Sequence, residues 1–327
     1  MGAIARRVGG FTLLLAAVVS VVTHLAYRRD LAAARERITG STVVVTPCGP
    51  IEYAVAGSGQ PVLFVHGAGG GFDQGLAFGA PLVEYGYRLI AMSRFGYLRT
   101  PLPADASAAA QADAHACLLD ALGIPRAAVV GGSAGAPSAL QLAIRHPDRV
   151  SRLAIVVPAA FVPRPDGAAS LRTPPGTRWL FDTALKSDFL FWALLRAAPD
   201  TMTRSLLATP SEVVAAASAT EQARVAAILT GLLPVSPRRL GLLNDADVTS
   251  HLERYELERI RAPTLAISVA DDLFGTYDAA RYTAEQIPGA RFVGYPTGGH
   301  VWVGRQEAVM AELVAFLRDS QFTASAR

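Results

Sequence analysis

Short, uninterrupted apolar runs recur along the chain, each bounded by Gly, Pro or charged residues. They are PVLFV at 61–65, RLIAM at 88–92, AAVV at 127–130, RLAIVV at 152–157, PTLAISV at 263–269 and ARFVGY at 290–295. Runs this short with no polar alternation read as strands buried on both faces, as in parallel sheets. Helix-forming segments separate them, at 106–122, 136–145, 277–286 and 306–317. This alternation predicts an α/β fold, a mostly parallel sheet with helices on both faces. Ahead of the first run, STVVVT at 41–46 and the segment 51–56 flank a Cys48-Gly49-Pro50 turn and read as a hairpin.

The rhythm breaks between 160 and 255. That stretch has proline joints (Pro163, Pro165, Pro174, Pro175, Pro210, Pro234, Pro237) and helical segments, with no apolar run of the strand type. An insertion of this length reads as a helical cap or lid. Its clustered aromatics belong ordinarily to a core. Trp179, Phe189 and Trp192 are nevertheless candidates, with Gly69, for lining a substrate pocket. The expected organisation is an N-terminal anchor and linker at 1–40, a core built from 41–159 and 256–322, and the cap at 160–255.

The N-terminus has its own pattern. Arg6-Arg7 precede an uncharged run from 8 to 27, and Arg28-Arg29-Asp30 follow. Twenty residues at about 1.5 Å each reach across a hydrocarbon core. The expectation is an uncleaved, single-pass membrane-spanning helix. A signal peptide is the alternative, although the nearest small-x-small site, Ala32-Ala33-Ala34, lies beyond three charged residues. Arginines on both flanks leave the orientation open. A short charged helix from Leu31 to Thr39 is expected to link anchor to core.

Composition adds exclusions. With 51 % apolar and 17 % charged residues over 327 positions, a large buried core is possible. A net charge of +3 without a basic block does not indicate a nucleic-acid surface. Cys48 and Cys117 have neither C-x-x-C nor metal-ligand spacing, and read as small packing residues rather than a pair. His115, in the alanine-rich helix, reads as a solvated or core-edge residue, and His66 as a residue that structures its loop.

The candidate chemistry begins at Ala127–Leu140, AAVVGGSAGAPSAL. A strand runs into Gly131-Gly132-Ser133-Ala134-Gly135 and then into a helix, which is the G-x-S-x-G pattern of a nucleophile elbow. In a chain with 29 glycines such a turn can arise by chance, so its partners decide. Three other groups fall at strand C-termini, where sites gather in parallel sheets: the glycine-rich loop after His66, Asp271-Asp272, and His300. The loop lacks the Lys-Ser/Thr and G-x-G-x-x-G features of phosphate sites. A serine hydroxyl needs a base, which His300 supplies, and the imidazole needs a carboxylate to orient it. Two N–H donors must meet the oxyanion; Ala134 supplies one and the loop after His66 the other.

These residues together resemble the α/β-hydrolase superfamily from about Ser41 to Phe322. The motifs are His66-Gly67-Ala68-Gly69-Gly70, the elbow at Ser133, Pro263-Thr264-Leu265 leading to Asp272, and Gly298-Gly299-His300. The resemblance implies an eight-stranded sheet with a helical cap between strands six and seven. It also implies Ser133 as nucleophile, Asp272 as acid, His300 as base and the Ala68 and Ala134 N–H groups as oxyanion hole, with no cofactor or metal. Asp271 is the alternative acid. Where many relatives carry an aspartate after strand four, this chain has Ser93-Arg94-Phe95-Gly96. The expected function is hydrolysis of a carboxylic ester, lactone or thioester of small-molecule size. Carbon–carbon hydrolases, acyltransferases and proline-type peptidases of the same fold remain alternatives. A non-catalytic binding protein is disfavoured because every triad residue type is present.

Overall fold

The computed structural model describes residues 2–163 and 183–319, with side chains of the first helix from Leu14 onward. Eight strands form one sheet: β1 (Thr42–Thr46), β2 (Gly49–Ala56), β3 (Gln60–Val65), β4 (Tyr87–Met92), β5 (Ala127–Gly132), β6 (Val150–Val156), β7 (Thr264–Val269) and β8 (Arg291–Tyr295). Their spatial order is β1-β2-β4-β3-β5-β6-β7-β8. The β1–β2 and β2–β4 pairings are antiparallel and the rest parallel. β5 and β7 lie inside the sheet with nearly every residue buried, as uninterrupted apolar runs require.

Helices cover both faces. On one side Leu118, Leu140 and Ile144 pack against Val129 and Ile155. On the other, Leu82 and the C-terminal helix residues Met310, Leu313 and Phe316 pack against Val62, Val130 and Val156. The helix Phe72–Glu84 has no counterpart in the sequence pattern, where Gly75, Gly79 and Pro81 argue against one. Packing overrides propensity here. A Cβ at Gly75 would stand 2.9 Å from the Ala91 Cβ, and one at Gly79 would stand 2.7 Å from Leu89. The two glycines let the helix lie close on β4.

Between β6 and β7 the described residues hold helices only: Asp188–Ala197, Pro199–Leu206, Ser211–Ala215, Ala219–Gly231 and Arg239–Ser250. Phe191, Trp192, Leu195, Leu229 and Leu233 give this layer its own apolar cluster.

Two expectations need correction. The N-terminal segment is one continuous helix, Gly2–Arg37, not an anchor followed by a separate linker helix. Among the described residues no helix is long and apolar enough to cross a membrane, so the anchor at 8–27 and the membrane localisation drawn from it are withdrawn. The later turns of this helix are instead committed to the protein. The Tyr27 ring meets Phe189 and Trp192 edge-on at 5.1 and 5.5 Å. Asp30 accepts from the Trp192 indole N–H at 3.0 Å and pairs with Arg196. Ala34 is fully buried in the apolar cluster of the inserted helices.

The second correction concerns the cysteines. Cys48 and Cys117 form a disulfide with Cα atoms 6.2 Å apart, tying the β1–β2 turn to the helix Ala108–Ala121. At a sequence separation of 69, the pairing is a tertiary event that spacing does not announce.

Candidate active site

Ser133 stands at the tip of β5, where the strand turns into a 3-10 turn and then the helix Ala136–Arg145. Its φ is 48°, a left-handed conformation that non-glycine residues rarely adopt. The turn is tight. A Cβ at Gly135 would lie 2.5 Å from the Val65 carbonyl oxygen and 2.6 Å from that of His66. A Cβ at Gly131 would lie 2.7 Å from the Ala139 Cβ. The small residues two positions either side of the serine are therefore set by steric room.

The loop after β8 brings His300 to the serine. His300 Nε2 lies 2.9 Å from Ser133 Oγ, and His300 Nδ1 lies 2.7 Å from Asp272 Oδ2. The carboxylate needs fixing in its turn. Asp272 Oδ1 accepts the Phe274 N–H at 2.9 Å, and Oδ2 accepts the Thr276 hydroxyl, which Ser268 meets at 2.9 Å. Both Asp272 and His300 are buried. The Phe274 ring stands edge-on to the imidazole, 4.9 Å between centroids. Asp271 points elsewhere. Its two oxygens accept the Gly299 and Gly298 N–H groups at 2.7 and 3.2 Å, shaping the loop that carries His300.

The loop after β3 lies opposite. The Gly67 N–H donates to Gln74 Oε1 at 2.9 Å and the Gly69 N–H to the Tyr97 hydroxyl at 3.1 Å. Among the described residues no acceptor meets the Ala68 N–H between them, and Ala68 lines the cavity beside Ser133. Ala134 follows the serine at a helix N-terminus, where N–H groups have no intrahelical partner. His66 is wholly buried. Its Nε2 accepts the Arg94 N–H at 2.9 Å and its Nδ1 lies 2.7 Å from the Gly67 carbonyl oxygen, so it structures the loop.

Ser133 and His300 open onto a cavity of ≈ 120 Å³. Its floor is apolar: Phe64, Val130 and Val156 from the strands, Phe78 from below, and Met310 and Leu313 from the C-terminal helix. Leu206, Leu207, Ile228 and Leu232 of the inserted helices form its roof. Among the described lining residues there is no Asp, Glu, Lys or Arg. Phe189 and Trp192, candidates for the pocket, are not among the described residues of this wall. Phe189 and Trp192 stack on one another and meet Tyr27 of the N-terminal helix edge-on. Trp179 lies outside the described residues. Gly69 is turned toward Leu232, and its N–H is taken by Tyr97. Trp302, outside the candidate set, lines the cavity instead. Its position two residues after His300, on the same loop, was the available signal. Among the described residues no cluster of metal-ligating side chains occurs.

His115 also departs from expectation. It is fully buried, with Nε2 3.0 Å from Ser138 Oγ. Burial first, then the nearby Arg94 charge, lowers its pKa to about 3.

Residues 60–303 match a family model described as the alpha/beta hydrolase fold. RutD of Klebsiella pneumoniae, provisionally named a carbamate hydrolase, is 33 % identical over 247 residues, covering 74 % of this chain and 85 % of its own. A solved alpha/beta hydrolase fold protein from Nakamurella multipartita superposes with a TM-score of 0.70 at 32 % identity, covering 85 % of this chain and 99 % of that one. An esterase from Exiguobacterium antarcticum superposes with a TM-score of 0.66 at 21 % identity, over 86 % of this chain and all (100 %) of that one, a likeness of fold alone.

Proposed function

The chain belongs to the α/β-hydrolase family, and on that premise we propose that it is a serine hydrolase that cleaves a carboxylic ester, lactone or thioester through an acyl-enzyme on Ser133. The observation that carries this reading is the unbroken hydrogen-bonded line Ser133 Oγ–His300 Nε2, His300 Nδ1–Asp272 Oδ2 at the mouth of an apolar cavity.

In this reading Ser133 Oγ attacks the substrate carbonyl carbon while His300 Nε2 takes the hydroxyl proton. Asp272 keeps the proton on Nδ1 and stabilises the imidazolium without becoming protonated itself. The carbonyl oxygen becomes an oxyanion and draws hydrogen bonds from the Ala68 and Ala134 N–H groups. The tetrahedral intermediate collapses, and the leaving oxygen or sulfur departs with the proton from His300. A water, deprotonated by the same nitrogen, then attacks the acyl carbon, and Ser133 regains its proton as the acid leaves. The apolar lining favours an uncharged acyl group, since a buried charge needs a partner. By its volume the cavity accepts an acyl chain of about four to six carbons, given that a ~150 Å³ cavity takes benzene.

A second reading, cleavage of a carbamate, is favoured by the likeness to RutD. It uses the same residues and a carbamoyl-enzyme. Two measurements test these readings. A fluorophosphonate probe is expected to label the wild type and not Ser133→Ala; a folded wild type that stays unlabelled sinks both. p-Nitrophenyl esters from acetate to decanoate, assayed beside a p-nitrophenyl carbamate, then separate them: an ester optimum near butyrate to hexanoate supports the first, and preference for the carbamate supports the second.

A further inference from the structure

Two arginine–carboxylate pairs, one buried and one part-buried, cross the seam between the inserted helices and the sheet layer, in opposite senses. Arg94, after β4, reaches up to Asp245 on the helix Arg239–Ser250, with both contacts at 2.6 Å. Arg238, just before that helix, reaches down to Asp73 on the helix Phe72–Glu84, at 3.0 and 2.7 Å. Both are bidentate, the geometry a guanidinium fork matches best. The seam is tight: a Cβ at Gly241 would stand 2.2 Å from the Tyr97 ring, and the Gly241 N–H donates to the Gly96 carbonyl at 2.9 Å.

The same groups grip the loop that carries Ala68, on each side of it. Before it, Arg94 Nε donates to the His66 carbonyl at 2.9 Å. After it, Arg238 Nη1 donates to the Gly70 carbonyl at 2.5 Å. Tyr97 bridges the two systems. Its hydroxyl donates to Asp245 Oδ2 at 2.5 Å and accepts the Gly69 N–H at 3.1 Å. Guanidinium contacts on His66 and Gly70, with the tyrosine hydroxyl on Gly69 between them, therefore leave the Ala68 peptide little freedom.

We propose that Asp245, Tyr97 and Arg238 are positioning residues that hold the Ala68 N–H where the oxyanion develops, so that the seating of the inserted helices sets the strength of the oxyanion hole. This rests on the serine-hydrolase reading. A donor that is pre-aimed costs no reorganisation during reaction, and a displacement of about 1 Å can lower the rate by about 10²-fold.

Tyr97→Phe tests this with little disturbance, because the Arg94–Asp245 pair remains and only the hydroxyl's two hydrogen bonds, to Asp245 and from the Gly69 N–H, are lost. The expected result is a fall in kcat of about tenfold or more with KM near wild type. The affinity for phenylboronic acid, whose tetrahedral adduct on Ser133 presents an oxygen to the same N–H groups, should fall by a similar factor. Asp245→Asn should lose more in both. If Asp245→Asn does not fold, Tyr97→Phe alone decides. Wild-type kcat and boronate affinity in Tyr97→Phe overturn the proposal, as does a lower kcat with unchanged boronate affinity. In either case the fluorophosphonate-reactive wild type leaves the hydrolase reading standing. An unlabelled wild type removes that reading, and the proposal with it.

Discussion

Asp271 and Asp272 are chain neighbours that hold one loop in two ways, the first by its backbone and the second by the His300 ring. Asp272 meets the His300 ring at 2.7 Å, and Asp271 takes the backbone N–H groups of Gly298 and Gly299 just before it. The two carboxylates should therefore fail differently. Asp272→Asn is expected to lower kcat by about 10⁴-fold, because the amide presents the wrong hydrogen-bonding pattern to Nδ1. Asp271→Asn should cost far less and act through loop placement. Steady-state kinetics of the two variants side by side check this; equal losses would contradict the assignment.

The elbow gives a steric prediction. Gly135→Ala forces a Cβ to within 2.5 Å of the Val65 carbonyl oxygen. The turn must shift, at a cost of about 1–3 kcal/mol in stability, and Ser133 should move with it, losing about 10²-fold in kcat. Gly132→Ala is the control, since a Cβ there meets nothing within 4 Å and φ is −99°. Urea denaturation and turnover of the pair test the prediction, and equal behaviour would refute it.

The disulfide should matter to stability and little to turnover. Cys48–Cys117 closes a loop with a sequence separation of 69, which on the chain-entropy account contributes about 4 kcal/mol. It joins the β1–β2 turn to the helix Ala108–Ala121, neither of which lines the cavity. Cys48→Ser/Cys117→Ser is expected to lower the urea midpoint markedly while kcat/KM of the folded enzyme holds. An unchanged midpoint would mean that the bridge adds nothing.

Acid should weaken the protein well before its carboxylates titrate. Burial, then the Arg94 charge, brings His115 down to about 3, and the same causes in the same order hold His66 well below its usual value. Unfolded, each histidine binds its proton near pH ~6.5. The unfolded chain thus takes up protons that the folded chain refuses. Stability from these sites is fully present above pH ~6.5 and is lost as pH falls through that value toward 3, by up to about 1.4 kcal/mol per pH unit for each histidine. Urea midpoints at pH 7.5 and 5.0 should show the fall, and His115→Gln should lessen it. An identical fall in the variant would contradict the account.

Much of this architecture was legible before any coordinates, because it is written in short-range pattern. The run at 127–130 and its glycines announced both a central strand and a strained turn. The strand-end positions of Asp272 and His300 followed from the same rhythm. What escaped notice depends on partners distant in the chain. Arg94 and Asp245 are 151 residues apart, and nothing local to either predicts a buried pair. Phe189 and Trp192 look like pocket aromatics in the sequence because they sit in the insertion. Their real neighbour is Tyr27, more than a hundred and fifty residues earlier. The uncharged run at 8–27 resembled an anchor for a related reason. Hydropathy counts side chains, and it cannot register that Asp30, Leu31 and Ala34 at the end of the same helix are bound to the protein.

The crossed pairs also bear on inheritance. Each side of the seam contributes one cation and one anion, so each presents buried charges that only the other neutralises. An insertion exchanged for one from a relative without Asp245 and Arg238 would leave Arg94 buried and unmatched, a penalty of several kcal/mol, and Asp73 without its cation. The sheet layer and the inserted helices are therefore expected to evolve as one piece, with changes in substrate range arising by substitution at the residues that line the cavity rather than by wholesale replacement of the insertion.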